Sequence, residues 1–278
     1  MTGLSRGTCL GRHVLKPGRP GHAHLAIGLL AGAAVVFFAL PLLGLLVRVA
    51  PAELWRQLAA PSVQAALRLS LYVSLCAAGL SLLLGLPLAY ALARLPFPGR
   101  GLARALVTLP MVLPPVVGGT ALLAAFGRRG LLGGVLEHGL GVILPYTTGA
   151  AVLAATFVAA PFLVITVEGA LRGLDPRLEQ AAATLGASRL RIVGTVVLPA
   201  IRSSLVAGLA LCWARALGEF GATITFAGNL QGRTQTMPLA VYEALHDSPD
   251  GAVALSLILL AVSLALLAAL RGHFQGAG

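Results

Sequence analysis

The chain has 278 residues, of which 58% are hydrophobic and 10% charged, with a mean hydropathy of +0.91. Soluble domains are about 45–50% apolar and about 25% charged, so a soluble globule is excluded and one integral membrane domain is expected. The formal net charge of +11 does not point to nucleic acid, because the basic residues are scattered between apolar runs rather than gathered on one face.

Lys16 is the single lysine and stands between Leu15 and Pro17. A phosphate-binding loop of the GxxxxGK[ST] type needs a lysine after glycine, so any ATP used must be hydrolysed on another chain. Cys9, Cys76 and Cys212 are odd in number and far apart, which fits neither a disulfide framework nor a metal site. Neither HExxH nor GxSxG occurs, and no nucleophile–base or metal constellation supports an enzyme.

Residues 1–24 read as a basic, disordered cytoplasmic arm, with Arg6, Arg12, Lys16 and Arg19. Six apolar stretches follow that are long enough to span a bilayer, which takes roughly 20 residues. They are Leu25–Val47, Leu67–Ala93, Leu102–Phe126, Thr148–Leu171, Ile201–Ala222 and Ala252–Leu270. The first exceeds a signal-peptide apolar region and is expected to be retained. With both termini inside, thirteen basic residues fall in inner segments and five in outer loops, as the positive-inside rule requires. The expected organisation is an arm over 1–24, a six-helix transmembrane domain over 25–271 and a short cytoplasmic tail over 272–278. Outer segments Arg128–Tyr146 and Asn229–Asp250 are expected to lie at the membrane interface.

One polar island, residues 173–204, lies between the fourth and fifth spans. Asp175 is an N-cap with Pro176 at the first helical position. Leu178, Ala181, Ala182 and Leu185 follow at helical spacing, and Gly186 supplies a left-handed stop. Ser188 caps a second helix that leads to Pro199. Spacing alone leaves two readings open: a docking surface for a partner, or an interfacial amphipathic helix without one.

Ionisable groups inside a membrane cost at least about 2.5–3.5 kcal/mol on insertion scales. The fifth span carries Arg215 and Glu219, spaced i, i+4 for one helix face. They are either a neutralising pair for packing or part of a translocation path on which Arg215 attracts an anion. Gly208, Gly218 and Gly221 thin this helix, and Thr223 and Thr225 add hydroxyls near its outer end. In the third span Pro110, Pro114 and Pro115 remove three backbone donors and kink the helix. Such breaks are tolerated in lipid where they are buried in protein or line an aqueous cavity, which favours a place on the path. Glu168 receives no role, Arg68 snorkels to the outer surface, and His138 is a lone loop residue.

The inner loop resembles that of ATP-binding-cassette importer permeases, written EAA–three residues–G–nine residues–I–x–L–P. Ala181, Ala182, Gly186, Leu198 and Pro199 occupy family positions. The motif's Glu falls on Gln180, with Glu179 just before it, and its Ile is Val196. The resemblance implies a coupling helix that docks on a separate cytoplasmic ATPase, with either Glu179 or Gln180 making the polar contact. ATP and Mg would be used by that partner, and no cofactor would be bound by this chain.

The stretches ARALGEFGATITFAGN and GRTQTMPLAVY, with VLPPVVGG in the third span, are similar to permeases for tetrahedral oxyanions, and most to the molybdate group. Sulfate and tungstate permeases share the GE–aromatic–G core. The resemblance covers roughly residues 60–270. It implies a homodimer, two ATPase subunits on residues 175–199, and an extracytoplasmic oxyanion-binding protein, in the inner membrane of a bacterium. An ATP-independent channel or secondary transporter is the alternative of another class, since those also place broken helices and ionisable groups at mid-membrane.

Overall fold

The structure, a computed structural model, describes residues 22–274 and is helical, with no strand among those residues. The arm expected over 1–24 therefore lies outside the described residues except for 22–24, which are helical. The chain divides into two compact units, Met1–Arg48 and Val49–Gly278. In the first, α1 (His22–Arg48) covers the first apolar stretch and leaves its large apolar side chains, Phe37 and Phe38 among them, exposed.

The second unit is built on two long helices, α3 (Pro61–Arg94) and α7 (Thr148–Gly173), packed along each other. The α7 face that meets the core is mostly alanine: Ala150, Ala151, Ala154, Ala155 and Ala159 are fully buried. In hydrocarbon, helices gain no hydrophobic drive from association, so small residues that bring backbones close provide the van der Waals contact. Glycines on the neighbours complete the fit. A Cβ on Gly85 would lie 3.0 Å from the Val164 side chain, and one on Gly208 would lie 3.1 Å from Thr166. Helix α11 (Arg202–Leu217) fills the angle between α3 and α7. There Trp213 donates to Ser74 Oγ at 2.9 Å, so the indole N–H is satisfied in the core.

The third apolar stretch is two helices, α4 (Arg100–Val112) and α5 (Pro115–Phe126), both packed on α7. The helix runs through Pro110 and breaks only at Leu113–Pro114. A residue before proline is pushed out of the α region, and Leu113 and Pro114, each preceding a proline, have ψ of 136° and 134°. The expected proline kink is thus a complete break at Leu113–Pro114.

The fifth stretch is also not continuous. Helix α11 stops at Leu217, and after Gly218–Phe220 a short helix α12 (Gly221–Phe226) begins. Glu219 therefore sits in the break, which corrects its expected place on one helix face with Arg215. Three shorter helices, α2 (Pro51–Ala59), α6 (Gly133–Leu140) and α13 (Met237–Asp247), lie between the longer ones in sequence, and α2 and α13 pack on α3 and on the last helix, α14 (Pro249–Phe274). Helix α14 carries on past Arg271 through the first residues of the expected tail. It packs on α13, α2 and α11, with its buried residues Ala252, Ala254, Leu255 and Ile258 in the N-terminal half.

Among the described residues, three helices are long and apolar enough to cross a membrane, at His24–Arg48, Pro61–Arg94 and Thr148–Gly173. A fourth is counted if Arg189–Ala200 and Arg202–Leu217, bent by 78°, are one span.

Candidate functional site

Two helix breaks meet at one place. Helices α5 and α12 pack backbone against backbone, since a Cβ on Gly119 would lie 2.9 Å from the Ala222 carbonyl oxygen. A Cβ on Gly221 would overlap the Pro115 ring, whereas one on Gly218 would meet only the Ala214 oxygen at 3.8 Å. Gly221→Val is accordingly expected to force the two half-helices apart and lower the thermal unfolding temperature in detergent, with Gly218→Ala close to the parent protein. Equal stability of the two variants would refute the close packing.

Beside this contact lies a cavity of about 160 Å³. Pro110, Leu113, Pro114 and Pro115 line one wall, Phe157 and Phe162 of α7 another, and Arg215 reaches it from α11. Arg215 is the one charged side chain on that lining. Its Nη1 is 2.6 Å from Glu219 Oε2, with the arginine side chain 29% exposed and the carboxylate 2%. The other carboxylate oxygen, Oε1, accepts the Ala222 N–H at 2.9 Å. Glu219 thus neutralises Arg215 and also satisfies one free donor of the α12 start, which is why the break can exist inside an apolar core. Of the residues expected on a path, Arg215, Pro114 and Pro115 line the cavity. Glu219 and Gly221 hold it from behind, Gly218 ends α11, and Thr223 is buried away from it.

The second site is the loop between α7 and α11. Helix α8 (Pro176–Thr184) starts with the Asp175 side chain accepting the Arg177 N–H at 2.9 Å. It ends in a Schellman motif around Gly186, φ +80°: the Gly186 N–H reaches the Ala183 oxygen at 3.0 Å and the Ala187 N–H reaches Ala182 at 3.2 Å. The next segment comprises α9 (Arg189–Ile192), a π-turn over Val193–Val197 and α10 (Leu198–Ala200). Ser188 caps it, accepting from the Arg191 N–H at 3.4 Å. Pro199 explains the π-turn, since its ring cannot donate to Thr195 and would clash with that carbonyl, so the preceding turn widens.

Helix α8 is tied back to α3 by one arginine. Arg94 donates to the Leu174 oxygen at 3.0 Å, and its Nε lies 2.8 Å from Glu179 Oε1. Tyr90 adds a hydroxyl donor to Glu179 Oε2 at 3.4 Å. Glu179 therefore faces its own chain, and Ala182 and Leu198 pack inward beside it. Gln180, Ala181, Gly186 and Pro199 are exposed, next to Leu178 and Leu185.

Sequence reasoning missed Glu168. It is buried in α7 and paired with Arg104 of α4 at 2.5 Å and with Arg172 at 2.8 Å. The available signal was an acid one turn before Arg172 in an otherwise apolar helix.

Comparison with known proteins places these features in a family. Residues 81–275 match the family model described as binding-protein-dependent transport system inner membrane component. A molybdenum transport system permease protein, ModB, of Mycobacterium tuberculosis is 47% identical over 83% of this chain and 87% of its own length. The ModB protein of Escherichia coli is 42% identical over 76% of this chain and 91% of its own. The sulfate transport system permease protein CysT of Escherichia coli is 38% identical over 82% and 83%. Among solved structures, a bacterial ABC transporter involved in import of the acidic polysaccharide alginate superposes with a TM-score of 0.71 at 17% identity, over 93% of this chain and 97% of that one. That last likeness shows a shared fold. With both half-helix breaks and the capped loop around α8 inside the matched region, the chain belongs to the family of inner membrane components of binding-protein-dependent transport systems.

Proposed function

We propose that this chain is the permease subunit of an ATP-driven molybdate importer and that the Arg215 cavity lies on the anion's path. The observation that carries the reading is the cavity itself: a guanidinium and the N-terminal end of α5 converge on one break in a chain similar to named molybdenum permeases. Half-helix N-termini directed at anionic groups are a recurring transporter device. Because Glu219 already neutralises Arg215, the site attracts an anion weakly, which suits release on the inner side. Specificity would then rest on an extracytoplasmic binding protein.

The six apolar stretches over 25–271 would each cross the inner membrane as one permease domain, the third and fifth as broken spans, with both termini cytoplasmic. Two copies would enclose the path. Two ATPase subunits would hold ATP and Mg, none being bound here, and would dock on the exposed face of α8. In this arrangement Gln180 and Ala181 meet the ATPase, and Glu179 holds α8 to Arg94, so that a push on α8 moves α3.

The test is uptake of radiolabelled molybdate by vesicles holding this chain, its ATPase and its binding protein. Uptake that requires ATP and that excess sulfate fails to suppress is expected. Sulfate competing equally would favour a sulfate permease, a reading supported by the 38% identity to CysT. Uptake in ATP-depleted vesicles would overturn the importer reading in favour of a channel.

A further inference from the structure

A second cavity, of about 330 Å³, opens where the π-turn segment meets α3 and α7. Its walls are aliphatic, with Leu86, Leu171, Val193 and Leu198 among them, apart from Tyr90 and a single charge, Arg189. Arg189 has no carboxylate partner among the described residues. Its neighbour Leu190 stands 87% exposed at the rim, and the exposed Leu83 and Leu84 of α3 continue the apolar surface toward mid-membrane.

We infer that this cavity binds one acyl chain of an anionic glycerophospholipid of the inner leaflet, with the phosphate on Arg189. This rests on the orientation adopted above, in which Arg94 marks the inner interface. Leu86 lies eight residues before Arg94, so the cavity reaches about 12 Å along the helix axis into hydrocarbon. An aliphatic cleft at that depth fits an acyl chain. An unpaired guanidinium at its mouth, at headgroup level, selects a negative headgroup over a zwitterionic one. The same cavity is walled by Leu198 and by the π-turn that follows α8, so an occupying chain would brace the loop on which the ATPase is proposed to act.

The experiment is native mass spectrometry of the purified full chain, titrated with palmitoyl-oleoyl phosphatidylglycerol or with palmitoyl-oleoyl phosphatidylcholine. One phosphatidylglycerol is expected to be retained about fivefold more tightly than phosphatidylcholine, the advantage of roughly one surface arginine. Arg189→Ala should bring the two lipids to parity, and Val193→Trp, which fills the cleft, should lose the retained lipid. Arg191→Ala, at the same interface but off the cavity wall, should keep the preference. Persistence of the preference in Arg189→Ala overturns the proposal, as does wild-type retention in Val193→Trp. So does a Val193→Trp chain that keeps its lipid and loses a co-purifying ATPase, which would assign the cleft to that subunit. Since no transport is read, failure here leaves the molybdate reading untouched, and failure of that reading leaves this measurement standing.

Discussion

Replacing Glu219 with alanine is expected to destabilise the chain by about 3–5 kcal/mol, because it leaves Arg215 without its counter-charge in an apolar surrounding. The same change removes the acceptor for the Ala222 N–H, a loss of about 1 kcal/mol at a helix start. Since Arg215 keeps 29% of its side-chain surface open, toward the cavity, the lower end of the range applies. Glu219→Gln separates the two contributions: the amide oxygen can still accept from Ala222 while the charge is gone, so its cost should fall between those of alanine and the parent.

The informative variant is the double one. Arg215→Met with Glu219→Gln removes both charges and keeps the acceptor, and replacing a buried ion pair by neutral groups is often neutral or stabilising. Thermal unfolding of this variant in detergent should return to near the parent value while molybdate uptake stays abolished. Parent-level uptake by the stable double variant would mean that the pair serves packing alone and that the anion passes elsewhere.

The difference between what could and could not be read from sequence is visible at these residues. Apolar length marked helical stretches without showing that the third and fifth are each broken in two, and cap chemistry placed α8 closely, since Asp175, Pro176, Gly186 and Ser188 act within a few residues of themselves. The proline break was foreseen as a kink, yet which of three prolines would sever the helix depends on two of them being adjacent, so that Leu113 and Pro114 are both driven extended. The break at Gly218–Phe220 has no local signal of that strength. It is stabilised by Glu219 folding back onto Ala222 and by Gly221 lying against Pro115, the second a contact between segments about a hundred residues apart. For the same reason Glu168 could not be assigned: its chief partner, Arg104, comes from another helix. The choice between Glu179 and Gln180 is likewise a question of facing, and sequence spacing does not show that Arg94 and Tyr90 of α3 hold Glu179 against its own chain.

Gly186→Pro should abolish ATPase co-purification and ATP-dependent uptake while leaving the thermal stability of the transmembrane helices nearly unchanged. Gly186 has φ +80°, and proline is confined near −65°; proline also has no N–H for the Ala183 carbonyl. The Schellman turn must therefore open, and the exit of α8 toward Ser188 is redirected. No residue of α8 is fully buried, so the damage stays at the surface. Open space around the Gly186 position removes side-chain crowding as a cause, which makes Gly186→Asn the matched control. Asparagine tolerates the left-handed region and should keep most of the coupling. On the same lever, Arg94→Ala frees α8 from α3 by removing its bonds to both Glu179 and Leu174. The ATPase should then still bind, through the intact exposed face, and hydrolyse ATP without moving the anion. An intact complex with normal uptake in Gly186→Pro would remove α8 from the coupling route. Normal uptake in Arg94→Ala alone would leave α8 as the docking site and shift transmission to the π-turn and α11.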